Sequence, residues 1–514
     1  MAVAETEGAL IKRAGWLSVY ELFHERARLH PQDFAVEMGE TRLSYAQLLA
    51  RVDRVAAMLA GQGVGHGDRI AVVSENRLEY FELFMAAAKI GAIVACQNWR
   101  LAVPELQHCV DLVSPALLVR SDRCGEMVEQ LDIGNLPVLV FGPTYEALVD
   151  AVTADVPIAN VDPEDGLLLL YTSGTTGLPK GALISHRAEI ARMMVLRLDL
   201  GIDAGDTYLA WSPMFHMGGT EHGLSALMMG GSVVITDGLD IPAMADALAN
   251  HNLGWLLLVP ATIEPLLAYL RDNNCAIKGV KTVGCMADLV PTETISKICA
   301  VLDAPFFNTF GATETGLPPA SGHLIPVGAD LSNLGKQQSS LCSFRLVDAD
   351  GLEVAKGESG EGVVRGPTLF SGYWGVPEVN LEEFRDGWFH MGDLFEHRDD
   401  GYHFVGRAKY LIKSGGENIY PAEIERVLLA DPRVEDATVV RKLDDKWGEV
   451  PVAVIARKKP DLTKDEVRNM CRKQLAGYKQ PKEIHFIEMD GFSRSSTGKI
   501  IREDLETWIL TQEN

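Results

Sequence analysis

The chain has 514 residues, and 47 Lys+Arg against 71 Asp+Glu leave a net charge of −24. Apolar residues at 47% and charged residues at 23% are the balance of a folded globular protein and exclude disorder as the main state; the length suggests about three to four folding units. The acidic balance argues against nucleic acid as a main partner, because neutralising a phosphate backbone needs a basic face, whereas a small anion needs only one local positive pocket.

The N-terminal residues put acids ahead of Lys12-Arg13 and lack a long apolar stretch, which is not a secretory signal. Apolar runs such as Leu167 to Tyr171 and Trp255 to Val259 fall far short of the roughly 20 residues of a membrane span. Cys96, Cys109, Cys124, Cys275, Cys285, Cys299, Cys342 and Cys471 form no C-x-x-C pair and read as reduced, mostly structural thiols. A cytoplasmic protein without a transmembrane segment is expected.

In chain order, Ser44 is placed to cap a helix whose apolar positions Leu48, Val52, Val55 and Leu59 recur at helical spacing. Arg69 to Val73 reads as a buried strand, Leu78 to Ile90 as a helix and Gly91 to Cys96 as a strand. The alternation runs on through helix Ala243 to Ala249, strand Trp255 to Val259 and helix Thr262 to Leu270, to about Phe310, and predicts parallel α/β layers. After about residue 325, Leu341 to Val347, Gly360 to Arg365 and His403 to Val405 are short strands punctuated by Gly and Pro, a small β-barrel-like unit. From Gly406 the texture is α+β: helix from Pro421, strands Ala437 to Val440 and Val452 to Ala456, a helix capped by Thr463 with Glu466, strand Ile484 to Ile487 and helix Ile500 to Leu510. The predicted class is α/β: a large N-terminal domain over 1–405, doubly wound to about 325 and β-rich over 326–405, then a mobile α+β domain over 406–514.

The strongest chemical signal is Tyr171-Thr172-Ser173-Gly174-Thr175-Thr176-Gly177-Leu178-Pro179-Lys180-Gly181, entered straight from the apolar strand Leu167 to Leu170. Glycines let the backbone approach an anion, hydroxyls and N–H groups donate to its oxygens, and the lysine supplies charge. This is phosphate chemistry, but no register fits G-x-x-x-x-G-K-[ST]. Gly63 to Gly67 precedes a strand and so is no dinucleotide fingerprint. There is no nucleophile elbow and no H-E-x-x-H pair, and His216 and His222 do not stack on one helical face.

Residues 171–181 resemble the phosphate-binding loop of the adenylate-forming superfamily, which includes acyl-CoA synthetases, peptide-synthetase adenylation domains and beetle luciferases. Four further stretches resemble its motifs in order: Phe310-Gly311-Ala312-Thr313-Glu314, Gly387-Trp388-Phe389-His390-Met391-Gly392-Asp393, Gly406-Arg407-Ala408-Lys409 with Gly415-Gly416-Glu417 and Pro421 to Glu425, and Thr497-Gly498-Lys499. The resemblance covers essentially the whole chain and points to the acyl-CoA synthetase branch. It implies ATP, Mg²⁺ and coenzyme A, with Thr172 to Lys180 on the β/γ phosphates, Phe310 on adenine with Gly311 and Thr313 beside the nucleotide, Asp393 and Arg407 at the ribose, Glu314 on Mg²⁺, and Lys499 on the carboxylate and α-phosphate. Thr172, His216, Glu314 and Lys499 are the implied catalytic set. His216, Met217, Gly218, Gly219, Gly223, Gly284, Cys285 and Met286 would line the acyl pocket, and Lys413, Gly415, Gly416 and Glu417 the tunnel side met by coenzyme A once the C-terminal domain has rotated.

Each of these residues also has a plain structural reading: Asp393 as a turn cap, Glu314 as a surface acid, Lys499 as a solvated charge, His216 as a packed histidine. The sequence departs from the family pattern at Tyr410 (usually Asp, at the expected pivot), at Met391 (usually Thr), and at the bulkier Cys285 and Met286. The expected function is activation of a hydrophobic carboxylic acid as acyl-AMP, then transfer to coenzyme A; the alternatives are loading of a carrier protein in trans, a luciferase-like oxidation and a catalytically dead binder. The expected partners are these small molecules and, in assembly, a homodimer. Gly219, Gly223, Ala226 and Gly230 share one helical face after His216. A face this small suits either close packing or width beside the acyl carboxylate, and the second reading points to a bulky or cyclic acid.

Overall fold

The structure is a computed structural model and describes residues 7–172, 178–287, 290–331, 334–414, 417–444, 446–494 and 499–511. Two large sheets dominate the N-terminal part. In the first, the strand order is Val138–Val140, Leu117–Arg120, Arg69–Val73, Ile93–Gln97, Gly166–Thr172, Lys180–Ser185, and every neighbouring pair is parallel except the last. In the second, the order is Leu324–Ile325, Phe306–Phe307, Gly279–Gly284, Asn252–Leu257, Thr207–Ala210, Ser232–Ile235, Phe34–Met38, Thr41–Ser44, parallel except at its two outer pairs. Strands buried on both faces need helices on both faces. Glu79–Ile90, almost wholly buried, and Met217–Met229 fill the space between the sheets in one large core with Phe81, Phe84, Leu224 and Leu227.

Local signals explain the helix starts. Ser44 accepts from the Gln47 N–H while Gln47 reaches back to the Ser44 N–H, and Thr463 and Glu466 do the same, each a reciprocal capping box. Gly91, Gly201 and Gly230 end their helices in the left-handed conformation that suits glycine.

The β-rich part is a five-stranded antiparallel sheet built on Trp388–Arg398, which pairs with Ser359–Arg365, Phe384–Arg385 and Gly401–Arg407. Beyond residue 410 a second five-stranded sheet carries its own apolar clusters, one around Ile412, Ile424, Val439 and Ile455 and one around Val440, Val454, Phe492 and Leu505. The fold is thus a mixed α/β assembly with a large N-terminal part and a smaller C-terminal one. Among the described residues no helix is long and apolar enough to cross a membrane.

The strand Gly166–Thr172 is followed, beyond the phosphate loop, by the antiparallel strand Lys180–Ser185, with Thr172 paired to Lys180, and helix His186–Leu200 then begins. Ser173 to Gly177 lie outside the described residues. Their flanks, Thr172 and Lys180, are held opposite each other by a strand ladder.

Candidate active site

Asp393 and Arg407 sit opposite each other on the paired strands Trp388–Arg398 and Gly401–Arg407. Strand pairing puts their side chains on one face, and the Arg407 Nε lies 3.0 Å from Asp393 Oδ1. Asp393 is buried. Burial pushes its carboxyl up to about 6, against the pull of Arg407; Glu314 adds to the rise and Lys499 opposes it. Burial lowers Arg407, but Asp393 and Glu314 outweigh it, and the guanidinium is held above its ordinary value.

Lys499 converges on the same place. An antiparallel bridge between Arg494 and Ile500 fixes where it leaves the C-terminal part; Thr497 and Gly498 lie outside the described residues. The residue as a whole is exposed, and the charges of Arg407, Asp393 and Glu314 act on its ammonium. Burial there, followed by the repulsion of Arg407, lowers its pKa, while Asp393 and Glu314 pull the other way. The same ammonium acts on His216, which burial first, then Lys499 and Arg100, depress to about 4. His216 is therefore a neutral imidazole at ordinary pH. It stands at the N-terminal cap of Met217–Met229, its ring 4.7 Å from that of Phe215. Residues from four separate motifs thus face one another: Glu314, Asp393, Arg407 and Lys499, with His216 alongside.

A second chain of contacts joins Glu314 to the phosphate loop. The Tyr373 hydroxyl donates to Glu314 Oε1 at 2.8 Å, the Lys180 ammonium lies 4.1 Å from the centre of the Tyr373 ring, and Lys180 Nζ bonds Glu383 Oε1 at 3.0 Å. Burial, then Glu314 and Glu383, keeps Tyr373 protonated, well above its ordinary pKa. The sequence reading passed over both Tyr373 and Glu383. The only trace was the aromatic pair Tyr373-Trp374 behind the turn at Gly372.

Among the described residues no three His, Cys, Asp or Glu side chains form a metal-holding group. Glu314 stands within the influence of the Asp393 carboxylate and accepts from the Tyr373 hydroxyl. Such a site fits Mg²⁺, which takes one or two carboxylates and completes its shell with water and substrate phosphates. Phe310 packs edge-on against Phe395 at 4.6 Å and tilted against Phe404 at 5.2 Å, so much of its ring belongs to the core of the β-rich part. A side chain on Gly311 would overlap Gly316 O, and Thr313 O accepts from Arg192 Nη2 at 3.1 Å.

The acyl-side residues are closely packed. Met217 and Met286 are partly buried and pack against the main core. Gly218 lies under Leu257 and Ser212, where a Cβ would sit 2.8 Å from Leu257 Cδ2. Gly219 and Gly223 do not leave open width. A Cβ on Gly219 would overlap the Pro213 carbonyl, and one on Gly223 would overlap the buried Phe81 ring. The small face is a packing face, since close-packed interiors leave no room for one added carbon. Gly284 lets its backbone pass against that of Phe307, and Cys285 is a buried thiol that desolvation pushes up to about 12. His222 is enclosed by Tyr208 and Trp255, with ring centres at 5.5 and 4.7 Å, and is a core histidine.

On the coenzyme side, Lys413 is exposed and its N–H donates to Glu449 Oε2 at 2.8 Å. Gly415 and Gly416 lie outside the described residues; Ser414 and Glu417 flank them as a strand pair. Tyr410 is fastened to the closing helix Arg502–Thr511: its hydroxyl lies 3.3 Å from Glu503 Oε1, Lys409 Nζ lies 3.0 Å from the same oxygen, and the Arg502 guanidinium lies 5.2 Å from the centre of its ring.

Comparison with known proteins agrees with this geometry. The chain matches the AMP-binding enzyme family over residues 23–374 and the AMP-binding enzyme C-terminal domain over 423–499. It is 34% identical to an indoleacetate–CoA ligase of Aromatoleum aromaticum, covering 95% of this chain and 98% of that one. It is 34% identical to a feruloyl-CoA synthase of an Amycolatopsis species, covering 93% and 96%. The o-succinylbenzoate CoA synthetase of Bacillus subtilis, solved with its acyl-adenylate intermediate, superposes with a TM-score of 0.83 at 26% identity, over 95% of this chain and 98% of that one. The same protein with ATP and a magnesium ion superposes equally well, at TM-score 0.83 and 26% identity over 94% and 99% of the two chains. The chain belongs to the AMP-binding enzyme family and is an AMP-forming acyl-CoA synthetase that uses ATP, Mg²⁺ and coenzyme A.

Proposed function

We propose that the acid is aromatic and that the residues gathered at Lys499 carry out its adenylation. The observation that supports the roles is the convergence of Lys499, Asp393, Arg407 and Glu314 beside His216. A carboxylate oxygen of the acid attacks the α-phosphorus of ATP, the bond to the bridging oxygen breaks, and pyrophosphate leaves with that electron pair. Negative charge grows on the phosphates, and a preorganised ammonium such as Lys499 stabilises it without reorganisation. Asp393 accepts from the ribose hydroxyls, with Arg407 keeping its carboxylate ionised. Glu314 holds Mg²⁺, which when bound screens the phosphate charge. Lys180 and Thr172 face the β and γ phosphates.

In the second step the thiol of coenzyme A, as thiolate, attacks the acyl carbonyl carbon, and AMP departs with the carbon–oxygen bond's electrons. That step follows a rotation of the part beyond about Gly406, which withdraws Lys499 and brings the 413–417 segment to the site. Neutral His216 packs beside the acyl carbonyl without adding charge.

One support favours an aromatic acid. The relatives' names specify indoleacetate, ferulate and o-succinylbenzoate. Pyrophosphate release with a panel of arylacetic, cinnamic, benzoic, octanoic and acetic acids, followed by coenzyme A, tests the reading. Turnover is expected to be highest with the ring acids. Preference for acetate or octanoate overturns the aromatic assignment.

A further inference from the structure

Arg192 is 4% exposed in the middle of helix His186–Leu200 and belongs to none of the five motifs. Each of its three nitrogens makes a bond. One Nη pairs with the buried Glu221, Nε donates to Thr368 O at 2.9 Å and the other Nη donates to Thr313 O at 3.1 Å. Gly316, at φ +74°, leaves the space in which its stem lies; a Cβ there would stand 2.9 Å from the Arg192 side chain. Thr313 directly precedes Glu314, whose own carbonyl accepts from Phe370 N–H at 2.8 Å. Thr368 and Phe370 lead into Tyr373, which bonds the Glu314 carboxylate. Glu221 lies on Met217–Met229, the helix that starts at His216.

One guanidinium therefore ties the acyl-side helix to both segments that aim Glu314. A planar fork with donors in fixed directions does this; an ammonium on the same helix keeps the charge for Glu221 but cannot reach both carbonyls at once. We propose that Arg192, anchored by Glu221, is a positioning residue that fixes the Thr313 peptide and so aims the Glu314 carboxylate at the magnesium ion of MgATP. This rests on the metal role given to Glu314 above. Groups that orient a metal-binding side chain without touching the metal commonly contribute about ten- to a hundredfold to metal affinity.

The test is ATP binding by calorimetry on the whole enzyme without acid, so that no turnover occurs, once with Mg²⁺ and once with EDTA. The ratio of the two affinities is the magnesium gain. In Arg192→Lys the gain is expected to fall about tenfold while binding in EDTA stays near wild type. Arg192→Met/Glu221→Met, which removes both members of the buried ion pair, is expected to lose the gain in the same way. Glu314→Gln runs alongside and is expected to abolish it. If Glu314→Gln keeps the gain, the metal role of Glu314 falls and this proposal with it. If Glu314→Gln loses the gain and Arg192→Lys keeps it, only the positioning role is overturned. Failure of both Arg192 variants to fold, or an equal loss with and without Mg²⁺, assigns Arg192 to stability and overturns it too.

Discussion

The nucleotide end and the acyl end of this site are built on different principles. At the nucleotide end, polar and charged side chains from separate segments hold one another: Asp393 with Arg407, Glu314 with Tyr373, Lys180 with Glu383. At the acyl end, Gly218, Gly219 and Gly223 are shaped by what presses on them from elsewhere in the chain: Leu257, Ser212, Pro213 and Phe81. The first kind of construction is written in short motifs, because its chemistry needs fixed residue types at fixed spacing. The second is written in volumes shared between distant segments. Reaction class and substrate are for this reason legible to different degrees.

Replacing Gly223 breaks the comparison most forcefully if it is wrong. Gly223→Leu is expected to lose the native fold at ordinary temperature, because overpacking costs roughly 1–3 kcal/mol even where the first added carbon has space, and here it meets the Phe81 ring. Gly223→Ala is expected to be milder and to regain part of its melting temperature when combined with Phe81→Leu. A folded Gly223→Leu enzyme with altered acid preference would return this face to the acyl pocket.

A smaller effect sharpens the nucleotide side. Asp393 titrates near about 6 in the folded protein, above its ordinary 3.8, because burial disfavours its charge. Its contribution to stability is therefore fullest in acid and is lost as the pH rises through about 6. Binding runs the other way, since only the ionised carboxylate accepts from two ribose hydroxyls. ATP affinity is expected to fall about tenfold between about pH 7 and about pH 5 as ionisation drops from roughly nine-tenths to roughly one-tenth. Asp393→Asn is expected to bind weakly at both and to show no step. A step that survives in Asp393→Asn belongs to another group.

The smallest expected change is at the hinge segment. Tyr410→Phe removes a hydroxyl contact to Glu503 at 3.3 Å in an exposed setting. A net effect of about threefold suits one such bond, seen as slower pyrophosphate release with thioester formation unchanged or faster. No change in the ratio of the two rates would leave Tyr410 without a part in the choice of arrangement.

Much of the fold was open to reading from the sequence. The cap at Ser44 with the helical spacing after it, and the capping pair Thr463/Glu466, marked helices that the structure contains. The antiparallel return at Lys180 was hidden, because an apolar strand followed by a glycine-rich loop reads the same whether a helix or a strand follows. Tyr373 was hidden because its partners, Lys180 and Glu314, lie in two other segments. Arg192 was hidden for the opposite reason: a lone arginine in a helix normally faces water, and only the fold reveals that its donors meet Thr313, Thr368 and Glu221.

The central claim is that Lys499, drawn in beside Asp393, Arg407 and His216, serves adenylation and leaves before the thiol attacks. Lys499→Ala tests it directly when the two half-reactions are measured apart, pyrophosphate release from ATP and acid in one and thioester formation from supplied acyl-adenylate and coenzyme A in the other. Loss of a preorganised charge is expected to slow the first by about a hundredfold or more and leave the second near wild type. Equal loss in both half-reactions would contradict the account.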